Sequence, residues 1–299
     1  MSRLSRAAVA VIATLSIASS LAAQQRTLTP EQRAERQLRQ AEELLEELRQ
    51  PTPVPALNSV WIEELTWLEV RDAIADGKTI AIVATGGVEQ NGPYVATGKH
   101  NYILEPACEM LARQMGDALC APIVKFVPEG NIDPPSGSMR YHGTISLQQD
   151  VFEALLVDIG ASLAQNGFEH IVYIGDSGGN QRGQVNAAAT LNDQLGQTRA
   201  HHIAAYYDNN GVIARMEELG VVEGESDGFH DYYWVTAMQM VHDPATVRYD
   251  ERVEAGLATI NGISIAPADE TIEIGRELIQ WRVDQTVHAI REAIANANR

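Results

Sequence analysis

The chain has 299 residues, of which 45% are hydrophobic, so it is long enough for one large domain with a sizeable core. Its formal net charge is −18, because Asp and Glu outnumber Lys and Arg. Nucleic acids and anionic membrane surfaces are bound through basic patches, and this charge argues against both partners. The composition therefore predicts a globular protein that does not bind nucleic acid.

The first 23 residues have the pattern of a cleaved secretory signal peptide. Arg3 and Arg6 precede an apolar run at 7–18, and Ala22 and Ala23 supply small residues at a cleavage site. The run is short for a membrane span, and no later stretch reaches 18 apolar residues. We therefore predict an exported protein, periplasmic or secreted, whose mature chain has no membrane span.

Residues 24–56 are predicted to form a helix followed by a proline-rich linker. Thr29 is a typical N-cap and Pro30 suits the first helical position. Leucines then recur at helical spacing on an otherwise charged segment, until three prolines between 51 and 55 end the helix. This segment is interpreted as a spacer or as an arm that packs between copies of the chain.

Residues 57–299 alternate between short apolar runs and stretches with helical spacing, and are predicted to be one α/β domain. Such alternation is typical of a three-layer α/β/α fold with a mostly parallel central sheet. The predicted strands are 79–85, 119–127, 170–174 and 200–207, and the predicted helices include 101–115, 148–165, 178–195 and a terminal helix from 269.

Polar residues follow the first and third predicted strands. Glu89, Asn91 and His100 come after the first, and Asp176 and Ser177 come after the third. In open α/β sheets, ligands bind outside the carboxyl ends of the strands, so these side chains are expected to converge. Carboxylate and imidazole groups suit Zn²⁺ or Mn²⁺, and a bound metal would activate water.

Two stretches carry a family resemblance. GGVEQNGPYVATGKH (86–100) resembles G-x-x-E-Q-H-G-P-H-L-P-L-G-T-D of the creatininase (creatinine amidohydrolase) family. GFEHIVYIGDSGGN (167–180) resembles that family's G-F-(x)n-N-G-H-G-G-N, and 143–147 matches its G-T-I-S-L. The resemblance runs from about Trp61 to near the C-terminus. It implies a creatininase-like fold, hydrolysis of a C–N bond in a cyclic or linear amide, and homo-oligomers.

The sequence departs from the family pattern at the metal ligands. Glu89 is kept, but Asn91 and Ser177 stand where histidines are usual, and His100 stands where Asp is usual. His230 matches a later family histidine, although the following E-T-S has changed. The resemblance therefore implies the fold, whereas the family's metal site does not carry over intact.

A rebuilt site is the first functional hypothesis. Glu89, His100 and Asp176 would hold Zn or Mn, and His230 would move protons in the hydrolysis of a small-molecule amide. The residues predicted to bind this substrate are Asn91, Tyr94, Gly178, Asn180, Tyr232 and Trp234. The Pro/Gly-rich stretch 128–141 either borders the substrate or is an ordinary connection.

Two alternatives stay open. Ser177 lies in G-D-S-G-G, which fits the G-x-S-x-G nucleophile elbow between a strand and a helix. Such a serine needs a general base, and His230 with Asp227 or Asp231 is the plausible source. The other alternative is a non-catalytic homologue that keeps the fold and binds a small molecule or a sister subunit.

The chain has two cysteines, Cys108 in a predicted helix and Cys120 at the start of the next strand. An oxidising compartment would allow a disulfide between them. Since bridging geometry is restrictive, they are predicted to be two buried free thiols.

Overall fold

The computed structural model describes residues 28–298, so the predicted signal peptide lies outside the described residues. The chain divides after Pro55 into two compact units. In the described part of the chain, no helix combines the length and the apolar character that crossing a membrane requires.

The first unit contains helix α1 (Pro30–Leu48), which begins as predicted. The Thr29 hydroxyl accepts a hydrogen bond from the Gln32 backbone N–H (3.2 Å), and the Gln32 side chain accepts one from the Thr29 N–H (3.0 Å). This reciprocal capping box satisfies two N–H groups that a helix start would otherwise leave unpaired. No residue of α1 is buried, so its leucine stripe stays exposed.

The second unit is built on four strands: β1 (Ile80–Thr85), β2 (Ala118–Cys120), β3 (His170–Gly175) and β4 (Ala200–His202). They form a parallel sheet in the order β2-β1-β3-β4, which confirms the predicted mostly parallel sheet. The central strand β1 is apolar and fully buried, as a strand covered on both faces should be.

Two strands are shorter than predicted. Strand β2 stops at Cys120, shortly before Pro122, which cannot donate a ladder hydrogen bond. Strand β4 stops at His202, and the apolar residues that follow form a 3-10 turn (Ala204–Tyr207) that contacts the terminal helix. In both places the apolar run correctly indicated a buried segment, but the predicted strand was longer than the hydrogen-bonded strand in the structure.

Helices cover both faces of the sheet, which gives the predicted three layers. The helices of this unit are α2 (Trp67–Ala75), α3 (Lys99–Met115), α4 (Gln149–Gln165), α5 (Asn180–Leu195), α6 (Asn209–Glu218), α7 (Tyr233–Met240), α8 (Tyr249–Glu254) and α9 (Ala268–Ala297). Helices α4 and α5 pack against each other, and helices α3, α7 and α9 form a second packed group. A two-stranded antiparallel ribbon, β5 (Thr259–Ile260) and β6 (Ile263–Ser264), precedes α9.

The strand order places a switch point at the centre of the sheet. The chain crosses from β1 to β2 on one side and from β3 to β4 on the other, so the order reverses between β1 and β3. Their last residues, Thr85 and Gly175, are paired in register. The loops that follow β1 and β3 therefore emerge side by side, where open α/β folds bind their ligands.

Cys108 and Cys120 form a disulfide, so the prediction of free thiols was wrong. Helix α3 returns across the sheet and contacts β2, which brings the two Cα atoms within 6.3 Å. That separation lies inside the range that a disulfide spans. The sequence could not show this, because the distance depends on how the helix packs on its strand.

Candidate active site

The predicted trio of Glu89, His100 and Asp176 comes together at the switch point. His100 lies in the first turn of α3, with Nε2 2.8 Å from Glu89 Oε1 and Nδ1 2.7 Å from Asp176 Oδ2. All three side chains are buried. Burial and the charge of Lys99 act against protonation, but the hydrogen bonds to Asp176 and Glu89 raise the pKa of His100. The trio is therefore an ion-paired chain with an imidazolium at its centre.

Glu89 receives further positive charge from Lys99, whose Nζ lies 3.4 Å from Glu89 Oε1. Ser138 donates a hydrogen bond to the other oxygen, Oε2, at 2.8 Å. Burial alone would raise the pKa of Glu89, but the hydrogen bond from His100 and the charges of His100 and Lys99 outweigh it and lower that pKa strongly. Glu89 is therefore ionised throughout the neutral range.

Asp176 is held from the opposite side by Arg282 of α9. The guanidinium donates from Nη1 to Asp176 Oδ1 at 2.7 Å and from Nη2 to Asn209 Oδ1 at 3.1 Å. The Arg282 side chain is 1% exposed, and its Cζ lies 5.1 Å from the centroid of the Tyr206 ring. Asp176 thus joins two buried cations, Arg282 and His100.

A second carboxyl group, Glu129, lies beside Glu89. Gly87 leaves the space for it, since a Cβ at Gly87 would lie 2.1 Å from Glu129 Oε1. Burial and the negative charge of Glu89 raise the pKa of Glu129 to about 8. Glu129 is thus protonated at neutral pH, beside the ionised Glu89.

The raised pKa of Glu129 predicts a pH-dependent contribution to stability. The folded protein keeps this proton up to about pH 8, whereas the unfolded chain loses it near the usual value of 4.5. This contribution to the free energy of unfolding is complete below pH 4.5 and is lost as pH rises towards 8. The loss is on the order of 2–4 kcal/mol. E129Q cannot ionise, so its stability relative to wild type should increase from pH 5 to pH 8.

Urea unfolding of wild type and E129Q at pH 5, 6.5 and 8 would measure this effect. E254Q is the matched control, because Glu254 is exposed on α8. A stability difference between E129Q and wild type that stays constant with pH would show that Glu129 is ionised in the fold.

His230 lies between this buried network and an open cleft of about 740 Å³. Its Nδ1 is 3.2 Å from the Gln90 carbonyl oxygen and 3.7 Å from Glu89 Oε1, while the side chain is 40% exposed. Burial and the charge of Lys99 lower the pKa of His230, so the ring is neutral at pH 7. The cleft is lined by Gln90, Gly92, Pro93, Tyr141, His142, Ser226, Gly228, Phe229, His230 and Tyr232.

Two of the predicted substrate-binding residues belong to the cleft region. Tyr232 lines the cleft directly. Trp234 is buried and stacks on Tyr232, with ring centroids 6.2 Å apart, so it supports the cleft from below the surface. Their roles in binding substrate stay predictions.

The other four predicted substrate-binding residues do not line this cleft. Asn91 donates from its amide to the backbone carbonyls of Glu89 (2.9 Å) and Ala96 (3.1 Å), which fixes the shape of the loop. Asn180 is buried and donates to the carbonyls at the end of β1. Tyr94 packs its ring under Arg252, and Gly178 is exposed.

Ser177 is buried without a general base in contact. In the described part of the chain, its hydroxyl has no hydrogen bond to a histidine, and neither Asp227 nor Asp231 is hydrogen-bonded to His230. Packing explains why a glycine stands at the neighbouring position 179, because a Cβ on Gly179 would lie 2.3 Å from the Pro128 carbonyl oxygen. The Gly-rich turn is therefore explained without a nucleophile elbow.

The donor set does not fit a divalent metal as it stands. Metal ligands must present free lone pairs, but both ring nitrogens of His100 are taken by carboxylates and the Lys99 ammonium lies against Glu89. Within residues 28–298, no three or more His, Cys, Asp or Glu side chains are grouped so that they could hold a metal ion. The hypothesis that Glu89, His100 and Asp176 bind Zn or Mn has no support from this geometry.

Sequence reasoning missed four residues of the network: Lys99, Glu129, Ser138 and Arg282. Each carried a signal. Lys99 adjoins His100, and Glu129 and Ser138 lie in the long loop 128–141. Arg282 interrupts the apolar stripe of α9 at one-turn spacing from Leu278, and a charge in such a stripe is buried only with a partner.

Fold and site together define an α/β protein with a buried acid–base network at the switch point of a parallel sheet. A sequence model of the family described as creatinine amidohydrolase matches residues 63–290. The chain belongs to the creatininase family.

Individual relatives agree with this assignment. Creatinine amidohydrolase of Pseudomonas putida is 26% identical over 196 residues, which cover 64% of this chain and 62% of the relative. The chain thus matches less than two thirds of that relative's length. A creatininase structure with Mn has a TM-score of 0.61 at 20% identity, covering 79% of this chain and 98% of the other. The structure of a creatininase mutant complexed with creatine has a TM-score of 0.60 at 19% identity, with the same coverage of both chains. These structures confirm the fold.

Proposed function

We propose that this protein hydrolyses the C–N bond of a small cyclic or linear amide, with protein side chains in place of a metal ion. The observation that carries the proposal is the placement of His230, which joins the open cleft to the ionised carboxylate of Glu89. Family membership supports the reaction class, because the matching family is described as creatinine amidohydrolase.

His230 is suited to act as the general base. The Gln90 carbonyl accepts a hydrogen bond from Nδ1–H, which leaves the Nε2 lone pair to take a proton from water in the cleft. The water oxygen bonds to the amide carbon, the C–N bond breaks, and the leaving nitrogen takes the proton from Nε2. Glu89, 3.7 Å from Nδ1, stabilises the imidazolium that forms between these steps.

The remaining charged residues keep Glu89 ionised and in place. Arg282 fixes Asp176, Asp176 fixes His100, and His100 donates to Glu89. This chain runs from α9 to the edge of the cleft through buried side chains. Such preorganisation spares the site from reorienting its charges as the imidazolium forms.

A screen of amide hydrolysis on metal-free protein tests the function. Protein dialysed against EDTA would be incubated with creatinine, a hydantoin and a formamide, and products followed by NMR. We expect turnover of at least one amide at a rate that EDTA leaves unchanged and that E89Q lowers at least about tenfold. E109Q, which removes a partly exposed carboxylate further along α3, should match wild type.

Turnover that EDTA abolishes and Zn²⁺ or Mn²⁺ restores would contradict the metal-free proposal and favour the rebuilt metal site. Equal rates for E89Q and wild type would remove the assigned role of Glu89. Covalent labelling of Ser177 by a fluorophosphonate probe would instead support the serine hydrolase.

A second candidate is a binding protein without turnover. Two observations favour it: both ring nitrogens of His100 are hydrogen-bonded to carboxylates, and the pKa of Glu89 is strongly lowered. Neither group can therefore accept a proton from water at neutral pH. Ligand binding in the cleft by calorimetry, with no product from any amide, would select this candidate.

We also propose that the protein is exported and forms homo-oligomers. The buried disulfide between Cys108 and Cys120 supports an oxidising compartment. The exposed leucines of α1 support contact between copies. Light scattering after size exclusion would give the oligomeric state of the mature chain.

A further inference from the structure

We propose that Lys99 takes the place of a divalent cation at the switch point, and that removing its charge opens a cation site on Glu89 and Glu129. The inference shares the metal-free site with the proposed function, but its test reads metal binding, so it stands or falls independently of turnover.

Lys99 is placed as a counter-ion inside the protein. It is 2% exposed, although lysine is almost never buried without a partner. Its Nζ lies 3.4 Å from Glu89 Oε1, and Asp176 and Glu129 also act on its charge. A divalent cation bound at Glu89 Oε1 would need a position about 2.0–2.2 Å from that oxygen. The ammonium therefore already neutralises the oxygen that such a cation would bind.

The network also has enough positive charge without a metal. Three basic groups (Lys99, His100, Arg282) lie together with two ionised carboxylates (Glu89, Asp176) and the protonated Glu129. A divalent cation would add two positive charges to this buried set, where repulsion is screened weakly. Loss of the Lys99 charge removes this excess of positive charge, and a cation that displaces the Glu129 proton then meets three carboxylates against two basic groups.

Oxygen atoms are available for a cation once the ammonium is gone. Glu129 is 8% exposed, and its Oε1 is buried without a hydrogen-bond partner beside Glu89. A buried oxygen without a partner is uncommon and calls for an explanation. Glu129 Oε1 and Glu89 Oε1, which loses Lys99 but keeps its hydrogen bond from His100, supply two carboxylate ligands, which suit Mn²⁺ and Zn²⁺.

The experiment measures Zn²⁺ and Mn²⁺ binding to wild type, K99M and K99T, by calorimetry and by elemental analysis after dialysis. K99M keeps the length of the side chain without its charge, and K99T places there the residue usual in the family loop. K125M is the matched control, since Lys125 is exposed. We expect wild type and K125M to retain little metal, and K99M or K99T to bind about one equivalent at least about tenfold more tightly.

The double variant K99M/E129Q should lose this gain, which assigns the site to Glu129. Circular dichroism identifies any variant that fails to fold. If K99M does not fold, the comparison uses K99T. The proposal is overturned if folded K99M and K99T bind no more metal than K125M, or if wild type already holds one equivalent that E89Q removes.

Discussion

Replacing Arg282 with methionine is expected to lower the free energy of unfolding by about 3–5 kcal/mol. The change leaves Asp176 buried at 6% exposure with one of its two cations removed. Breaking one partner of a buried ion pair is more harmful than removing both, because the remaining charge stays desolvated. Methionine fills a similar volume, so the loss reports on charge more than on packing.

Arg276 offers a matched control on the same helix. It pairs with Glu273 at 3.3 Å, but the two side chains are 59% and 66% exposed. R276M should therefore change stability by less than about 1 kcal/mol. Chemical denaturation of both variants at pH 7 would measure the difference, with the double variant R282M/D176N expected to recover part of the loss. A cost for R282M as small as that for R276M would show that Arg282 does not stabilise the network.

Replacing His230 with asparagine is expected to lower kcat on the amide found by the screen by about 10²–10⁴-fold. Asparagine can still donate to the Gln90 carbonyl, but it cannot accept a proton from water. KM should change by less than about threefold, since the histidine acts on the transition state rather than on substrate binding. His142 lines the same cleft and is exposed, so H142N is the matched control and should keep wild-type kcat.

The pH profile separates a base from a structural histidine. Burial and the charge of Lys99 lower the pKa of His230 below its ordinary 6.5, and only the neutral ring can accept a proton. The rate of wild type should hold down to pH 6.5 and fall below it, whereas the residual rate of H230N should lack this acid limb. An acid limb that persists in H230N would assign the base to another group.

The amino-acid sequence by itself determined the α/β architecture. The apolar run of β1, the helical spacing of α3 to α5 and the capping residues of α1 act locally, so their period and composition could be interpreted directly. The convergence of Glu89, His100 and Asp176 also followed from sequence, because parallel strands must end at one edge of the sheet.

Only the tertiary structure decided which partners these converging side chains have and which of the groups are charged. The pairing of Asp176 with Arg282 joins positions 106 residues apart, and the Cys108–Cys120 disulfide depends on how α3 packs over β2. The charge state of the network depends on burial, which raises the pKa of Glu129, and on Lys99 at 3.4 Å from Glu89. Residue identity specifies which groups can titrate or bind a metal, but distance and desolvation determine whether carboxylates are neutralised by a metal or by the protein's own cations.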